Sequence, residues 1–232
     1  MTFAEQALGF ITEGTTIGLG TGRAATAFVE ALGEQVRQGF KIRGVPTSAA
    51  TAKLAAKLGI PLTTLEDVEE LDVTFDGADE VSENLDLIKG YGGALVREKI
   101  VAASSRRLVV LVGPGKEVAR LGTRGRLPLE VIPFGIPLIH RRLAQLGMFA
   151  EVRSAPSTAG HPGAERTPFV SDNGNMILDC HCRAIDDPVA LEQALLNIPG
   201  VVDTGLFLGM AATVLIGHDD GTVQVRDRAR TS

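Results

Sequence analysis

The chain has 232 residues, 44% of them hydrophobic, and a formal net charge of −5; this suits one large or two small folded domains with a real core. No apolar run reaches the roughly 18 residues of a membrane span, Met1 to Phe10 carries Glu5 and no basic flank of a signal peptide, and Cys180 and Cys182 stand too close for a disulfide framework. With an acidic balance in place of a basic stripe, these features predict a soluble cytoplasmic protein with no membrane or nucleic-acid partner.

The first half alternates strand and helix patterns. Thr15 to Gly20 is a β-branched run ending in glycine, and Ala24 to Gln38 repeats apolar residues at helical spacing. Lys41 to Val45 predicts a second strand. Ser48 to Leu58 predicts a helix with Ser48 as N-cap and Gly59 as its stop. Leu71 to Phe75 is a third strand, Gly93 to Ala103 a helix, and Arg107 to Val112 a strand buried on both faces. Such alternation predicts βαβ units and a mostly parallel sheet.

The pattern changes near Leu127. Leu129 to Ile132 predicts a strand between Pro128 and Pro133, Ile136 to Leu146 a helix, and Phe149 to Arg153 a strand. Ser154 to Pro168 is rich in Pro, Gly, Ser and Thr and predicts a mobile loop. Asn173-Gly174 between Phe169–Ser171 and Met176–Cys180 predicts a hairpin. Asp187 to Asn197 follows as a helix with Pro188 in its first turn. Thr213 to Gly217 and Thr222 to Arg226 return to strands. The expected division is a catalytic α/β domain over 1–125 and 201–232, with a smaller α+β domain inserted over 126–200.

Three segments carry chemistry. Gly18-Leu19-Gly20-Thr21-Gly22, between a strand and a helix, lets backbone N–H groups converge on an anion, and Arg23 adds a charge. A nicotinamide fingerprint would need a third glycine where Arg23 stands and an acid after the second strand, where Lys41-Ile42-Arg43-Gly44 stands. A small phosphorylated ligand suits the loop better; a tight turn with no ligand is the plain alternative. Asp76-Gly77-Ala78-Asp79 follows a strand, where ligands of α/β sheets bind. Its carboxylates could hold sugar hydroxyls or move protons. They could also, with Glu80, hold magnesium, or merely form a polar turn. Lys89-Gly90-Tyr91-Gly92-Gly93 leads into the third helix, where Lys89 can stabilise a negative oxygen and Glu98 can act as a base. Periodicity alone favours a solvated Arg97-Glu98-Lys99 cluster instead.

Taken together, these segments resemble the type A ribose-5-phosphate isomerase family. The resemblance adds Gly115-Lys116, Pro128 to Pro133, Ser171 to Asn175, Ile198 to Val202 and Gly205 to Phe207, in register over nearly the whole chain. It implies a Rossmann-like domain carrying a ferredoxin-like one. It also implies a cofactor-free interconversion of D-ribose 5-phosphate and D-ribulose 5-phosphate through an enediolate, within the non-oxidative pentose phosphate pathway. Glu98 matches the family's proton acceptor, Asp76 and Asp79 the carboxylates that hold hydroxyls and assist ring opening. Lys89 with Gly90, Tyr91 and Gly92 matches the oxyanion region. Thr21, Gly22, Arg23 and Ala24 match the ribose-phosphate loop, Gly77 and Ala78 lie within the matched carboxylate segment, and Lys116 matches a further substrate lysine. No metal is implied, and a homodimer or tetramer is.

The chain departs from the family in places. Arg23-Ala24 replaces a common hydroxyl pair, so Arg23 is expected to take over part of the phosphate contact. Tyr91 replaces a frequent glycine, the N-terminus has no counterpart of a lysine common near the start, and the 154–168 loop is longer. Cys180-His181-Cys182 supplies too few ligands for zinc and reads as structural; His140, His161 and His218 are scattered. A sugar-phosphate sensor would need a DNA-binding helix-turn-helix, for which too few residues precede the first strand. An amino-sugar phosphate deaminase or an acyl-CoA transferase would not combine Asp76 to Asp79 with Lys89 to Gly93.

Overall fold

The computed structural model describes residues 2–156 and 167–229, so most of the expected 154–168 loop, and His161 with it, lies outside the described residues. In chain order the elements are α1 (Phe3–Leu8), β1 (Thr16–Leu19), α2 (Arg23–Arg37), β2 (Arg43–Pro46), α3 (Ala49–Lys57) and β3 (Val73–Gly77). Next come β4 (Glu80–Val81), β5 (Leu87–Ile88), α4 (Leu95–Ala103), β6 (Leu108–Val112), β7 (Arg126–Val131), α5 (Ile136–Gln145) and β8 (Phe149–Val152). The chain closes with β9 (Met176–His181), α6 (Pro188–Leu196), β10 (Val201–Thr204), β11 (Leu206–Phe207), β12 (Ala211–Gly217) and β13 (Val223–Asp227).

Six strands form one sheet in the order β13-β12-β6-β3-β1-β2, parallel except for β13. This is the mixed α/β fold with a mostly parallel sheet that the alternating pattern predicts. Its interior strands are apolar throughout: β6 (LVVLV) is buried along its whole length because helices cover both faces. Helix α2 docks by stacking Phe28 on Phe75 of β3, ring centroids 4.2 Å apart. Burying each ring contributes about 1.5–3 kcal/mol.

A second, four-stranded antiparallel sheet has the order β10-β7-β9-β8. With α5 and α6 it runs β-α-β-β-α-β, a ferredoxin-like arrangement. Its own core gathers Leu127, Leu129, Ile139, Leu178 and Leu195. β10 lies beyond residue 200, so this sheet runs four residues past the expected boundary.

A third, small sheet, β11-β5-β4, holds the end of β5 where Lys89 begins the glycine segment. Lys89 N–H donates to Gly205 O at 2.9 Å, and Gly205 N–H to Pro128 O at 2.7 Å.

Several elements differ from the sequence expectation for identifiable reasons. β7 starts at Arg126 and contains Pro128. Proline is tolerated there because β10 pairs only with Leu129 to Val131, leaving that end of β7 an edge. The hairpin arm Phe169–Ser171 shrinks to an isolated bridge between Val170 and Met176. The turn's side chains point instead at Glu130, whose Oε1 accepts from Ser171, Asn173 and Asn175, each at 2.9 Å. α1, absent from the sequence reading, is fixed by a capping box in which Thr2 and Glu5 each bond the other's backbone N–H.

Candidate active site

The large sheet reverses direction between β1 and β3: from β1 the chain moves outward to β2, then crosses back to β3 on β1's other side. Ligands of open α/β sheets bind beyond the carboxyl ends of strands at such a switch point. A cavity of about 590 Å³ lies there. Two glycines set the course of the loop beside it. Gly20 passes so close to Asp76 that a Cβ would fall 2.3 Å from Asp76 Oδ1, and Gly22 turns into α2 with φ +100°. Thr21 N–H and Gly77 N–H both donate to Asp76 Oδ1, at 3.0 and 2.8 Å, tying the two strand ends together.

On the cavity wall, α4 buries Leu95, Glu98, Val101 and Ala102 along one stripe. Glu98 therefore belongs to the buried face, only 3% exposed, while Arg97 and Lys99 leave by the flanks. This corrects the solvated-cluster alternative. The spacing Leu95, Glu98, Val101 carried the signal, with a carboxylate in a core position. Lys89, 2% exposed, reaches between the two halves of the site. Its Nζ stands 3.1 Å from Asp76 Oδ2 and 3.2 Å from Glu98 Oε2, and donates to Gly77 O at 2.5 Å. The ammonium faces Glu98 Oε2 as a buried ion pair.

One buried cation thus serves two buried carboxylates. Burial pushes Glu98 up to about 8, the neighbouring Asp76 charge adds to the rise, and Lys89 opposes it. Burial likewise raises Asp76 against the pull of Lys89. For Lys89, burial works to lower the pKa, but Asp76 and Glu98 outweigh it and hold the ammonium above its ordinary value. The cluster therefore keeps a charged lysine beside a carboxyl poised near neutral pH, the condition for general-base work.

The structure gathers the remaining sequence-predicted residues around the same cavity. Thr21, Gly22, Arg23, Ala24, Gly77, Ala78, Asp79, Gly90, Tyr91, Gly92 and Lys116 all line it with Lys89 and Glu98. Asp76 is not part of the wall: it is 1% exposed and acts from behind, on Lys89 and the glycine loop. Asp79 accepts from Tyr91 N–H at 3.0 Å and lies 3.7 Å from Lys116 Nζ. The Tyr91 ring turns away, its hydroxyl donating to Arg126 O at 3.2 Å. Gly22 is the N-cap of α2 and has no side chain to cap it, so the first N–H groups of the helix are open beside exposed Arg23.

Some wall residues escaped the sequence reading. Phe3 arrives from α1, and Leu111 to Pro114 from the end of β6. A cluster of hydroxyls also fixes Thr21, whose Oγ1 lies 2.7 Å from Thr47 Oγ1 and 2.8 Å from Ser48 Oγ. In the sequence Ser48 reads only as the N-cap of α3, and Thr47 carries no signal. Glu80, considered as a metal ligand, turns away and accepts from Gly122 and Arg124 N–H at 2.6 and 2.8 Å. Among the described residues no group of three or more His, Cys, Asp or Glu is placed to hold a metal ion. Cys180 is buried in the small domain's core, and burial pushes both thiols up. No helix among the described residues is long and apolar enough to cross a membrane.

At the level of class, the switch-point cavity and its buried lysine–carboxylate cluster are those of an α/β protein with a site for a small molecule. Comparison with known proteins gives the particular family. The family model described as ribose 5-phosphate isomerase A (phosphoriboisomerase A) matches residues 43–221. Ribose-5-phosphate isomerase A of Roseiflexus castenholzii is 51% identical over 224 residues, covering 96% of this chain and 92% of that protein. The ribose 5-phosphate isomerase A structure from Methanocaldococcus jannaschii is 39% identical, with a TM-score of 0.89 over 97% of this chain and 96% of that one. A D-ribose-5-phosphate isomerase solved with phospho-erythronic acid has the same identity and coverage and a TM-score of 0.90. The chain belongs to the ribose-5-phosphate isomerase A family, and is an enzyme of the aldose–ketose isomerase class. Membership implies interconversion of ribose 5-phosphate and ribulose 5-phosphate.

Proposed function

We propose that this interconversion proceeds with Glu98 as the base, through an enediolate held beside Lys89. The observation that carries this reading is the pair of contacts on Lys89 Nζ, 3.1 Å to Asp76 and 3.2 Å to Glu98, with Glu98 at the cavity wall. In the open-chain aldose, the ionised Glu98 carboxylate takes the proton from C2. The electron pair moves toward the carbonyl oxygen and leaves an enediolate. As Glu98 is neutralised, its hold on the Lys89 ammonium weakens, and the charge it loses reappears on the substrate oxygen. Lys89 follows that charge, so the net charge of the site is constant through the step. The proton on the C2 hydroxyl then passes to the C1 oxygen as Glu98 delivers a proton to C1, which leaves C2 as the carbonyl of ribulose 5-phosphate and Glu98 ionised again.

Asp79, braced by Tyr91 N–H and Lys116, faces the cavity and is the group to take the ring hydroxyl's proton on opening. Asp76 holds the lysine and the glycine loop in place. The phosphate is assigned to the open N–H groups of α2, with Arg23 supplying the charge that a net −5 protein lacks globally. Phospho-erythronic acid, bound by a structural relative, is a sugar-phosphate analogue of this kind.

The same reading places the enzyme in a cytoplasmic, non-oxidative pentose phosphate role without a cofactor, as a homodimer or tetramer. Exposed Ile132, Phe134 and Val202 on the small domain support an apolar contact between copies. The reading is tested by adding the purified protein to ribose 5-phosphate and following ketose formation. Steady turnover is expected, and absence of ketose would overturn the assignment.

A further inference from the structure

Lys89 to Gly92 is a glycine-rich segment that must present its N–H groups in fixed directions, yet two of its residues have no side chain to hold them. The hold comes from the other domain. Arg153, immediately after β8, donates from Nη1 to Gly90 O at 2.7 Å and to Tyr91 O at 3.1 Å. Its remaining nitrogens grip Asp179 of β9 in a fork, Nε to Oδ2 at 2.9 Å and Nη2 to Oδ1 at 2.5 Å. Side chains of both residues are largely buried, at 10% and 13% exposure, so the fork is held rigidly.

The peptide bonds here are trans, and in a trans peptide the C=O and N–H point in opposite directions. Capturing Gly90 O therefore sets the Tyr91 N–H, and capturing Tyr91 O sets the Gly92 N–H. The first consequence is visible: Tyr91 N–H points to Asp79 Oδ2 at 3.0 Å. The second leaves Gly92, on the cavity wall, with an N–H that has no acceptor among the described residues. We infer that Arg153, braced by Asp179, is a positioning residue of the isomerase: it aims the Tyr91 and Gly92 N–H groups, and so makes the small domain part of the oxyanion site.

The inference rests on the isomerase reading above. Its test uses Arg153→Lys, which keeps the charge but cannot hold two carbonyls and a forked carboxylate together, and Asp179→Asn, which keeps the arginine but loosens its brace. Both are read for kcat and KM with ribose 5-phosphate, for inhibition by phospho-erythronic acid and by inorganic phosphate, and for thermal unfolding. Arg153→Lys is expected to lose roughly 10- to 100-fold in kcat, with KM changed by less than about threefold. The carboxylate of phospho-erythronic acid carries two oxygens in the manner of an enediolate, so its affinity should fall with kcat while that of inorganic phosphate stays. Asp179→Asn should move the same quantities in the same direction by less. Wild-type kcat in both variants, or an equal weakening of both inhibitors, would overturn the positioning role. An inactive wild-type protein would instead overturn the isomerase reading, which keeps the two failures distinct.

Discussion

Lys89 and Lys99 both stand over the Phe207 ring, their Nζ atoms 5.4 and 5.0 Å from its centroid. Each lysine also meets two carboxylates. Lys89 has Asp76 and Glu98, and Lys99 has Asp203 at 2.5 Å and Glu192 at 3.3 Å. The charge composition is identical, and the chemistry is not. Around Lys89 every side chain is less than 5% exposed, whereas around Lys99 each is 17–22% exposed. Water screens the second triad and lets it serve as a tie between α4, α6 and β10. Burial leaves the first no such screening, so its second carboxylate is pushed toward neutral pH. On the proposed mechanism, desolvation more than residue type fits Glu98 to act as the base.

The largest test of this contrast is Glu98→Gln, which keeps the shape and removes the proton acceptor. It should lower kcat by about 10²–10⁴-fold while ligand binding is largely kept. Its pH signature has a definite sign. Because burial raises Glu98 in the folded state from an ordinary value near 4.5 to about 8, its contribution to stability is full below about 4.5 and is lost as pH rises toward about 8. Activity runs the other way, since the base works only when ionised: kcat/KM should climb with pH toward about 8. Glu98→Gln should abolish the climb in rate and flatten the decline in unfolding free energy. A variant that retains either slope assigns the titration to another group.

Lys89→Ala leaves Asp76 and Glu98 facing each other unpaired in the interior. A loss of about 3–5 kcal/mol in denaturant unfolding is expected. A drop in kcat of about 10²–10³-fold, larger than any rise in KM, should accompany it. An effect confined to KM would make Lys89 a binding residue. Arg23→Ala should raise inhibition constants for phosphorylated ligands by about tenfold and leave unphosphorylated sugars unaffected; equal losses would remove Arg23 from the phosphate site. The smallest effect belongs to the partly solvated triad. Lys99→Ala should cost about 1 kcal/mol of stability and leave kcat within about twofold. A loss as large as that of Lys89→Ala would erase the distinction between the triads.

The two sheets are legible in the sequence to different degrees. Long apolar or β-branched runs such as Arg107 to Val112 announce buried strands, and Asp187 with Pro188 announces a helix start through its capping bond to Ala190 N–H. Two-residue strands such as Leu206–Phe207 have no periodicity to read. Pro199-Gly200 marks a turn just before Val201–Thr204, so the sequence pattern leaves that strand outside the 126–200 module, whereas it pairs with β7. The wall residues divide in the same way. Motifs contiguous in sequence, from Thr21 to Ala24 and from Lys89 to Gly92, can be found. Phe3, Thr47 and Ser48 reach the site only through packing of α1 and α3. Glu98 is legible through family resemblance, while its burial needs the stripe through Leu95 and Val101.

The central claim, that buried Glu98 moves the proton between C2 and C1, is tested most directly by isomerising ribose 5-phosphate in deuterated water. The carboxyl proton exchanges with solvent, so ribulose 5-phosphate formed by the wild-type protein should carry deuterium at C1, and Glu98→Gln should form neither ketose nor label on the same timescale. Ketose formed without any C1 label, or labelling at the wild-type rate in Glu98→Gln, would contradict the account.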